Sequence, residues 1–497
     1  MERTRTILGI PIGGPRRESE APVRLDDDLE GKELLTREFR LPREVKESLT
    51  FEQAKILQLL TRAARRTADL FALQLDNEGN PNFYPAKTTL SEILDAVTKN
   101  PEIQSPYTIV TRDPEGNLQA IPMHKVYAEP LKDLEVVGLL KEAANTAGRG
   151  KNRDMDLQAY LRAKATSLET GDYESSDRIW LERSDEPKVD IAIGLYDTYS
   201  DKLLGRKYAW EAWVGVLDEK STMESQWFLN ALLTWWQQHT GQEPPKIKMR
   251  IDYTRILAGQ AALYDWVGNN LPCQQEWRQK YGSKFTIFGK RFNDEFKKNK
   301  LKAFRNLIDS PKRRGASDDQ LKSVSLRKHI AHEIGHSLGV ASDLETRLQK
   351  YATTIKELYC DLLALKGYFG IDGVSPRERE LAFAIAFSEG ITDYQAYKNN
   401  GTRTEYYISR SILLNYCLRE GSIQINDRKL TWQDPKRVIT NIETLFNQVN
   451  QLQISGTSKD VQSFIEEVFD PEVYDLLTLR RIVVPEFLQG LQLTNFT

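Results

Sequence analysis

Residues 332–336 read His-Glu-Ile-Gly-His, and no other stretch restricts the chain so tightly. Two histidines four positions apart converge on one point only if the backbone between them is helical, because an α-helix stacks residues i and i+4 on one face. The pattern therefore predicts a helix carrying two imidazoles that can hold a single metal ion. Glu333, beside the first histidine, can take a proton from a metal-bound water, whose pKa zinc lowers to about 7. The bland reading is a helix with incidental histidines. With only five histidines in 497 residues, the motif is too improbable by chance for that reading to be preferred.

A catalytic zinc keeps three protein ligands and an open fourth position, so a third ligand is required. No histidine follows His336, which leaves a carboxylate. The segment 348–368 has helical apolar spacing at Leu348, Ile355, Leu358, Leu362 and Leu365, with Glu357 and Asp361 together on another face. Two helices joined by a short connection pack antiparallel, which returns Glu357 toward the histidines and completes a His2Glu set for one Zn2+ ion. Asp361, one turn on, is placed to accept the second ring N–H of a ligating histidine and fix its tautomer. His329 also lies on the motif face. With His332 and His336 it would spread three imidazoles over roughly 10 Å at ~1.5 Å per residue, too far for one ion, so a packing role is expected for it. His124 and His239 stand in no motif.

Length and composition limit the rest. A chain of 497 residues exceeds one ordinary core, and 40% hydrophobic with 28% charged residues is the balance of a globular protein. A net charge of -2 gives no general attraction to nucleic acid or anionic lipid. The three cysteines, Cys273, Cys360 and Cys417, form no CxxC pair, so neither a disulfide framework nor a thiolate metal site is expected and a cytoplasmic location fits. No apolar run approaches the roughly 18 residues a membrane span needs.

Along the chain, the first thirty residues, with their Gly, Pro and acidic run Asp26–Asp28, read as a flexible arm. Apolar spacing predicts an amphipathic helix over 50–75, and the Asn-, Gly- and Pro-bearing stretch 76–86 reads as a loop. Period-two alternation predicts strands at 189–199, 208–217 and 246–256, forming a small sheet or barrel. Between the last two lies a helix expected to open on the capping box Ser221-x-x-Glu224. Its aromatics Trp227, Phe228, Trp235 and Trp236 read as core. Residues 310–320 read as a loop, and most of the chain from there to about 470 is helical. The basic runs at 296–302 and 311–314 read as solvated surface rather than a docking patch.

The stretches YESSDRIWLER (173–183), IAIGLYDTYSDKLLGRKYAWEAWVGV (191–216), VGNNLPCQQEW (267–277) and LLNYCLREGSIQIND (413–427), with the zinc motifs in order between them, resemble the dipeptidyl peptidase III family, especially its bacterial and Nudix-fused branch. The resemblance spans roughly 160–485. It implies an α+β fold of two lobes around a wide cleft, one mainly helical and holding the zinc, the other mixed and containing a small β-barrel. Applied to this chain, that gives a flexible arm at 1–30, a mixed substrate-binding lobe at 31–218 and 254–290, and a helical zinc-binding lobe at 219–253 and 291–497. By the same resemblance His332, His336 and Glu357 are ligands and Glu333 the general base, while Asp197, Tyr199 and Asn270 hold a substrate's N-terminus and backbone. An ammonium needs carboxylate and amide oxygens, so these residue types suit the role.

The chain departs from the family pattern in four places. Cys273 stands where a second substrate-binding asparagine is expected, and Asp197 where a longer glutamate is. The zinc motif is the shorter HExxH form. Tyr406 stands where the family has a transition-state histidine, and a tyrosine hydroxyl can donate to an oxyanion in its place. The Nudix signature is absent, so nucleotide hydrolysis is not expected. The expectation is a zinc exopeptidase releasing dipeptides or other short units from peptide N-termini. The alternatives are a zinc enzyme of the same fold acting on a non-peptide amide, or an inactive zinc-stabilised peptide-binding protein.

Overall fold

The computed structural model describes residues 31–477, save 34, 77–78, 185, 342 and 401–403, together with Arg5–Ile7 and Ile10–Ile12. Most of the expected N-terminal arm lies outside the described residues. The chain divides into two compact units, one of residues 1–222 and 246–291, the other of 223–245 and 292–497.

The first unit is built on a seven-stranded sheet: β1 (Gly31–Glu33), β2 (Thr36–Glu38), β3 (Val189–Tyr196), β4 (Ala209–Leu217), β5 (Ile247–Gly259), β6 (Gly268–Leu271) and β7 (Ser283–Phe288). The long strand β5 is its spine. Its first half pairs in parallel with β7, and its second half pairs antiparallel with β4 and with β2. Among the described residues the pairing branches at β5 and forms no closed ring. Every residue of β3 and β4 is buried, so these two strands, read from alternation, are covered on both faces. The boundary expected at residue 253 falls inside β5, and hydrogen bonding keeps that strand whole in the first unit.

Three helices supply most of the apolar cover. In α1 (Phe51–Ala72) the side chain of Thr50 and that of Gln53 form a reciprocal capping box, and Ile56, Leu59, Leu60, Ala63 and Leu70 are buried as their spacing requires. α2 (Val136–Ala147) and α3 (Met155–Thr170) join it around Trp210 and Trp213. Fully burying a large apolar side chain contributes about 1.5–3 kcal/mol, so this cluster holds the sheet firmly.

The second unit is almost wholly helical. α4 (Glu219–Thr240) does not open on Ser221: the carboxylate of Asp218 accepts from the amide and hydroxyl of Ser221, so capping occurs three residues earlier. Phe228, Trp235 and Trp236 are core residues as expected, whereas Trp227 is 45% exposed. The stretch 310–320 is less of a loop than it reads, since Ser310–Arg313 makes a helical turn and Ser317 caps the next helix. That helix is α5 (Asp318–Gly335), followed by α6 (Ala352–Gly370), α7 (Pro376–Asn400), α8 (Thr404–Arg419) and α9 (Pro435–Ser455). Among the described residues no helix is long and apolar enough to cross a membrane.

Candidate metal centre and substrate-binding residues

His332 lies in the last turn of α5, and His336 is its C-cap, still in right-handed helical conformation, so the i, i+4 relation survives to the helix end. Gly335 explains how α6 comes so near. A Cβ there would stand 3.3 Å from Cα and Cβ of Cys360, and any larger side chain would push the two helices apart. With the helices in contact, Glu357 faces both imidazoles. Its carboxylate oxygens lie 3.2 Å from Nε2 of His332 and 3.8 Å from Nε2 of His336.

These residues fit a metal ion. One ligand atom from each of His332, His336 and Glu357 falls within 4.8 Å of the others, and bonds of ~2.1 Å to a tetrahedral ion place ligand atoms roughly 3.4 Å apart. Oε2 of Glu357 is buried yet accepts no hydrogen bond of normal geometry. A buried carboxylate oxygen left in that state is costly, and a cation shared with the imidazoles removes the cost. Two histidines and a carboxylate form a borderline-soft set suited to zinc.

Asp361, one turn after Glu357, faces the other side of His332. Its Oδ1 lies 3.0 Å from Nδ1 of His332, so a proton on Nδ1 is held there and the Nε2 lone pair is left free for metal. Burial alone would lower the His332 pKa. The carboxylates of Asp361 and Glu357 outweigh it and raise the imidazole to about 10, a measure of the pull this pocket exerts on positive charge. On His336, Nδ1 lies 3.3 Å from Sγ of Cys360. Burial, with Glu357 nearby, raises the Glu333 carboxyl above the usual range. His329 falls outside this group: its ring stacks on Phe292 and its Nδ1 lies 3.8 Å from Glu333.

Sequence reasoning missed the frame behind Asp361. Lys328 Nζ bonds Oδ1 of Asp361 at 3.1 Å and Glu389 at 2.7 Å. Arg410 bonds the other Asp361 oxygen at 3.3 Å and also Asp393, and Lys300 pairs with Glu389 at 2.8 Å. Lys328 precedes His332 by one helical turn, a spacing that could have marked it. Arg410 follows Tyr406 by one turn of α8, so Tyr406, half-buried, shares its face. The adjacent Tyr407 is buried among Tyr394, Tyr397 and Phe469, and its hydroxyl donates to the carbonyl of Pro471.

The expected substrate-binding residues all lie in the first unit. Asp197 follows β3 in left-handed conformation, φ +47°, and the thiol of Cys273 donates to its Oδ1 at 3.3 Å. Tyr199 is 55% exposed and packs with Tyr264 and Trp266. Asn270 gives its backbone carbonyl to Arg278, while its buried side-chain amide makes no hydrogen bond within the protein. The structure thus joins Asp197 to Cys273 directly and leaves the amide of Asn270 with unmet bonding capacity.

A helix-borne His2Glu group with a glutamate beside the first histidine is the site of a metallopeptidase. The sequence profile of peptidase family M49 matches residues 50–340, more than half of the chain, and the chain belongs to that family. It is similar to Nudix hydrolase 3 of Arabidopsis thaliana, with 20% identity over 390 residues, which are 75% of this chain and 49% of that protein. The chain spans about half the length of this curated relative. Two solved structures are similar in fold: DPP III from Caldithrix abyssi, with a TM-score of 0.73 at 19% identity over 88% of this chain and 93% of the other, and dipeptidyl-peptidase III from Corallococcus sp. strain EGB, with 0.70 at 19% identity over 89% and 95%. The fold is the α+β, two-lobed one these proteins share.

Proposed function

We propose that the chain is a zinc-dependent exopeptidase that releases dipeptides or similarly short units from the free N-termini of peptides, without nucleic-acid or membrane partners and in the cytoplasm. The observation that carries this is the His332, His336 and Glu357 group with Glu333 beside it. A bound zinc supplies Lewis acidity at the scissile carbonyl and lowers the pKa of water. His332, His336 and Glu357 hold the ion, and Asp361 keeps His332 in the tautomer that offers Nε2. The Glu333 carboxylate takes the proton of the attacking water and hands it to the departing amine. Tyr406 donates its hydroxyl to the developing oxyanion. In the other unit, Asp197, Tyr199 and Asn270 hold the substrate's N-terminus and first residues.

The Cys273 thiol, bonded to Asp197 where an asparagine amide would serve, favours one second reading, a specialised substrate other than ordinary peptides. Incubating the zinc-loaded protein with a mixed peptide library and reading products by mass spectrometry separates the two. Glu333-dependent release of N-terminal dipeptides supports the first. Zinc binding with no cleavage in the whole library sinks it.

A further inference from the structure

Glu211 is the third residue of β4 and is 1% exposed. Its cross-strand neighbours are glycines on both sides, Gly194 on β3 and Gly259 on β5, so neither position beside it carries a side chain. A glycine in a strand often marks a close approach, and here it allows one. Gly259 takes φ +63°, and a Cβ on it would stand 2.3 Å from the carbonyl oxygen of Trp210. The turn it permits delivers Gln260, whose Nε2 donates to Oε2 of Glu211 at 3.3 Å and to the carbonyls of Tyr196 and Asp197 at 3.3 and 3.4 Å. One amide therefore ties Glu211 to the residue expected to bind a substrate ammonium.

The bonding around this pair is incomplete. Oε1 of Glu211 accepts no hydrogen bond of normal geometry, and the amide of Asn269, 6% exposed and near enough to Glu211 to favour its charged form as a weak hydrogen-bond partner, makes none of normal geometry through either atom. Among the described residues neither Asp197 nor Glu211 has a cation within ion-pair distance. A buried carboxyl, Glu211, and a half-buried one, Asp197, are expensive to charge without a counterion, and the buried amide beside them finds no hydrogen bond of normal geometry in the surrounding protein. What would complete the bonding is a cation that donates several hydrogen bonds.

We propose that Glu211 is a second carboxylate of the N-terminal subsite and acts with Asp197 on the ammonium of an unblocked peptide, Asn269 completing the polar lining. This rests on the reading of Asp197 given above. Burial, and after it the charge of Asp197, raises the Glu211 carboxyl well above its ordinary range. The other groups around the pair are Cys273, whose thiol burial pushes up, Arg278, and Tyr196 with Lys164 and Asp177 behind it. Arg278 is committed to the carbonyls of Asn270 and Pro272. Burial and the Asp197 charge both push Glu211 toward its protonated form in the free protein. When an ammonium enters, the carboxylate ionises and that proton passes to solvent.

The test is calorimetric binding of penta-alanine and its N-acetyl form to the Glu333→Gln protein at pH 7.5, in two buffers of different ionisation enthalpy so that protons are counted. The free peptide should bind at least tenfold more tightly than the acetylated one and release close to one proton. Adding Glu211→Gln should abolish the release and weaken the free peptide about tenfold. If the free peptide is preferred but Glu211→Gln changes neither affinity nor proton count, Glu211 is no part of the subsite and the N-terminal reading survives. If both peptides bind alike, or neither binds, that reading falls and Glu211's role falls with it. Should Glu211→Gln fail to fold, absence of proton release in the parent decides against the proposal.

Discussion

The two units bury carboxylates in opposite ways. Behind the metal group each acid has a cation: Asp361 has Lys328 and Arg410, Glu389 has Lys328 and Lys300, and Asp393 has Arg410. Beside β4, Asp197 and Glu211 have none among the described residues. The first unit is well able to pair buried charge, since Arg183, Lys284 and Arg250 are matched there with Asp190, Glu186 and Asp252. The difference therefore lies in the task of each site. A frame that must hold one imidazole in one orientation is internally complete, whereas a pocket for a cation leaves its carboxyl groups without an internal partner until the cation comes.

The comparison breaks most visibly if the metal centre does no chemistry. Glu333→Gln should lower kcat about a thousandfold, within the 10²–10⁴ range for loss of a general base, while metal content by mass spectrometry stays at one ion per chain. Cleavage that continues at the parent rate would remove Glu333 from the mechanism. The frame behind the ligands comes next. Lys328→Met leaves Glu389 to Lys300 and Asp361 to Arg410 alone, and removing one partner of a buried pair costs about 3–5 kcal/mol. Zinc affinity, read by competition with a chelator, should fall about 10- to 100-fold as His332 loses its fixed orientation. An unchanged affinity would mean that Asp361 needs no bracing.

The units also differ in how far they could be read in advance. His332, His336, Glu357 and Asp361 were legible because helical period turns spacing into geometry: i, i+4 on α5 and again on α6. Lys328 obeys the same rule, but one lysine among 69 basic residues carries no signal until the helix opposite it is known. In the sheet unit the strands β3 and β4 were visible as alternation, yet Glu211 reads as one polar residue in an alternating run, where an outward face is the ordinary expectation. Only the pairing of β4 between β3 and β5, with glycines on either side, encloses it. The cap at Asp218 was missed because a later Ser-x-x-Glu offered an equally good local pattern, and the choice depended on where β4 ended. Local chemistry was readable and long-range pairing was not.

A smaller effect probes the pocket from the substrate side. Asp197→Asn removes a charged acceptor for the ammonium, and a hydrogen bond to a charged group is worth about 1.5–3 kcal/mol, so KM for unblocked peptides should rise about 10- to 100-fold with kcat changed far less. Should kcat fall instead while KM holds, Asp197 acts on the reaction rather than on recognition, and the two sites are not the separate devices described above.

The smallest effect tests the electrostatic contrast itself, through stability without substrate. Glu389, its ordinary range lowered by Lys300 and Lys328 once burial is overcome, stabilises the fold above the unfolded pKa of about 4.3, and loses that contribution as pH falls through the lower folded value. Glu389→Gln should therefore lower Tm at pH 8, with the difference closing below pH 4. Glu211 has the opposite sign. Its folded pKa is raised by burial and Asp197, so the folded state keeps a proton that the unfolded chain has lost, and stability falls as pH climbs from about 4.3 toward the folded pKa. Glutamine has no proton to lose, so Glu211→Gln should raise Tm by a few degrees at pH 8, on a scale of about 2–4 °C per kcal/mol for a unit of this size, and the gain should shrink toward pH 5. Melting curves of both variants across that range decide the point. If Glu211→Gln lowers Tm at pH 8 as Glu389→Gln does, the β4 carboxylate is a structural ion pair like the others, and the pocket has no charge in reserve for a substrate.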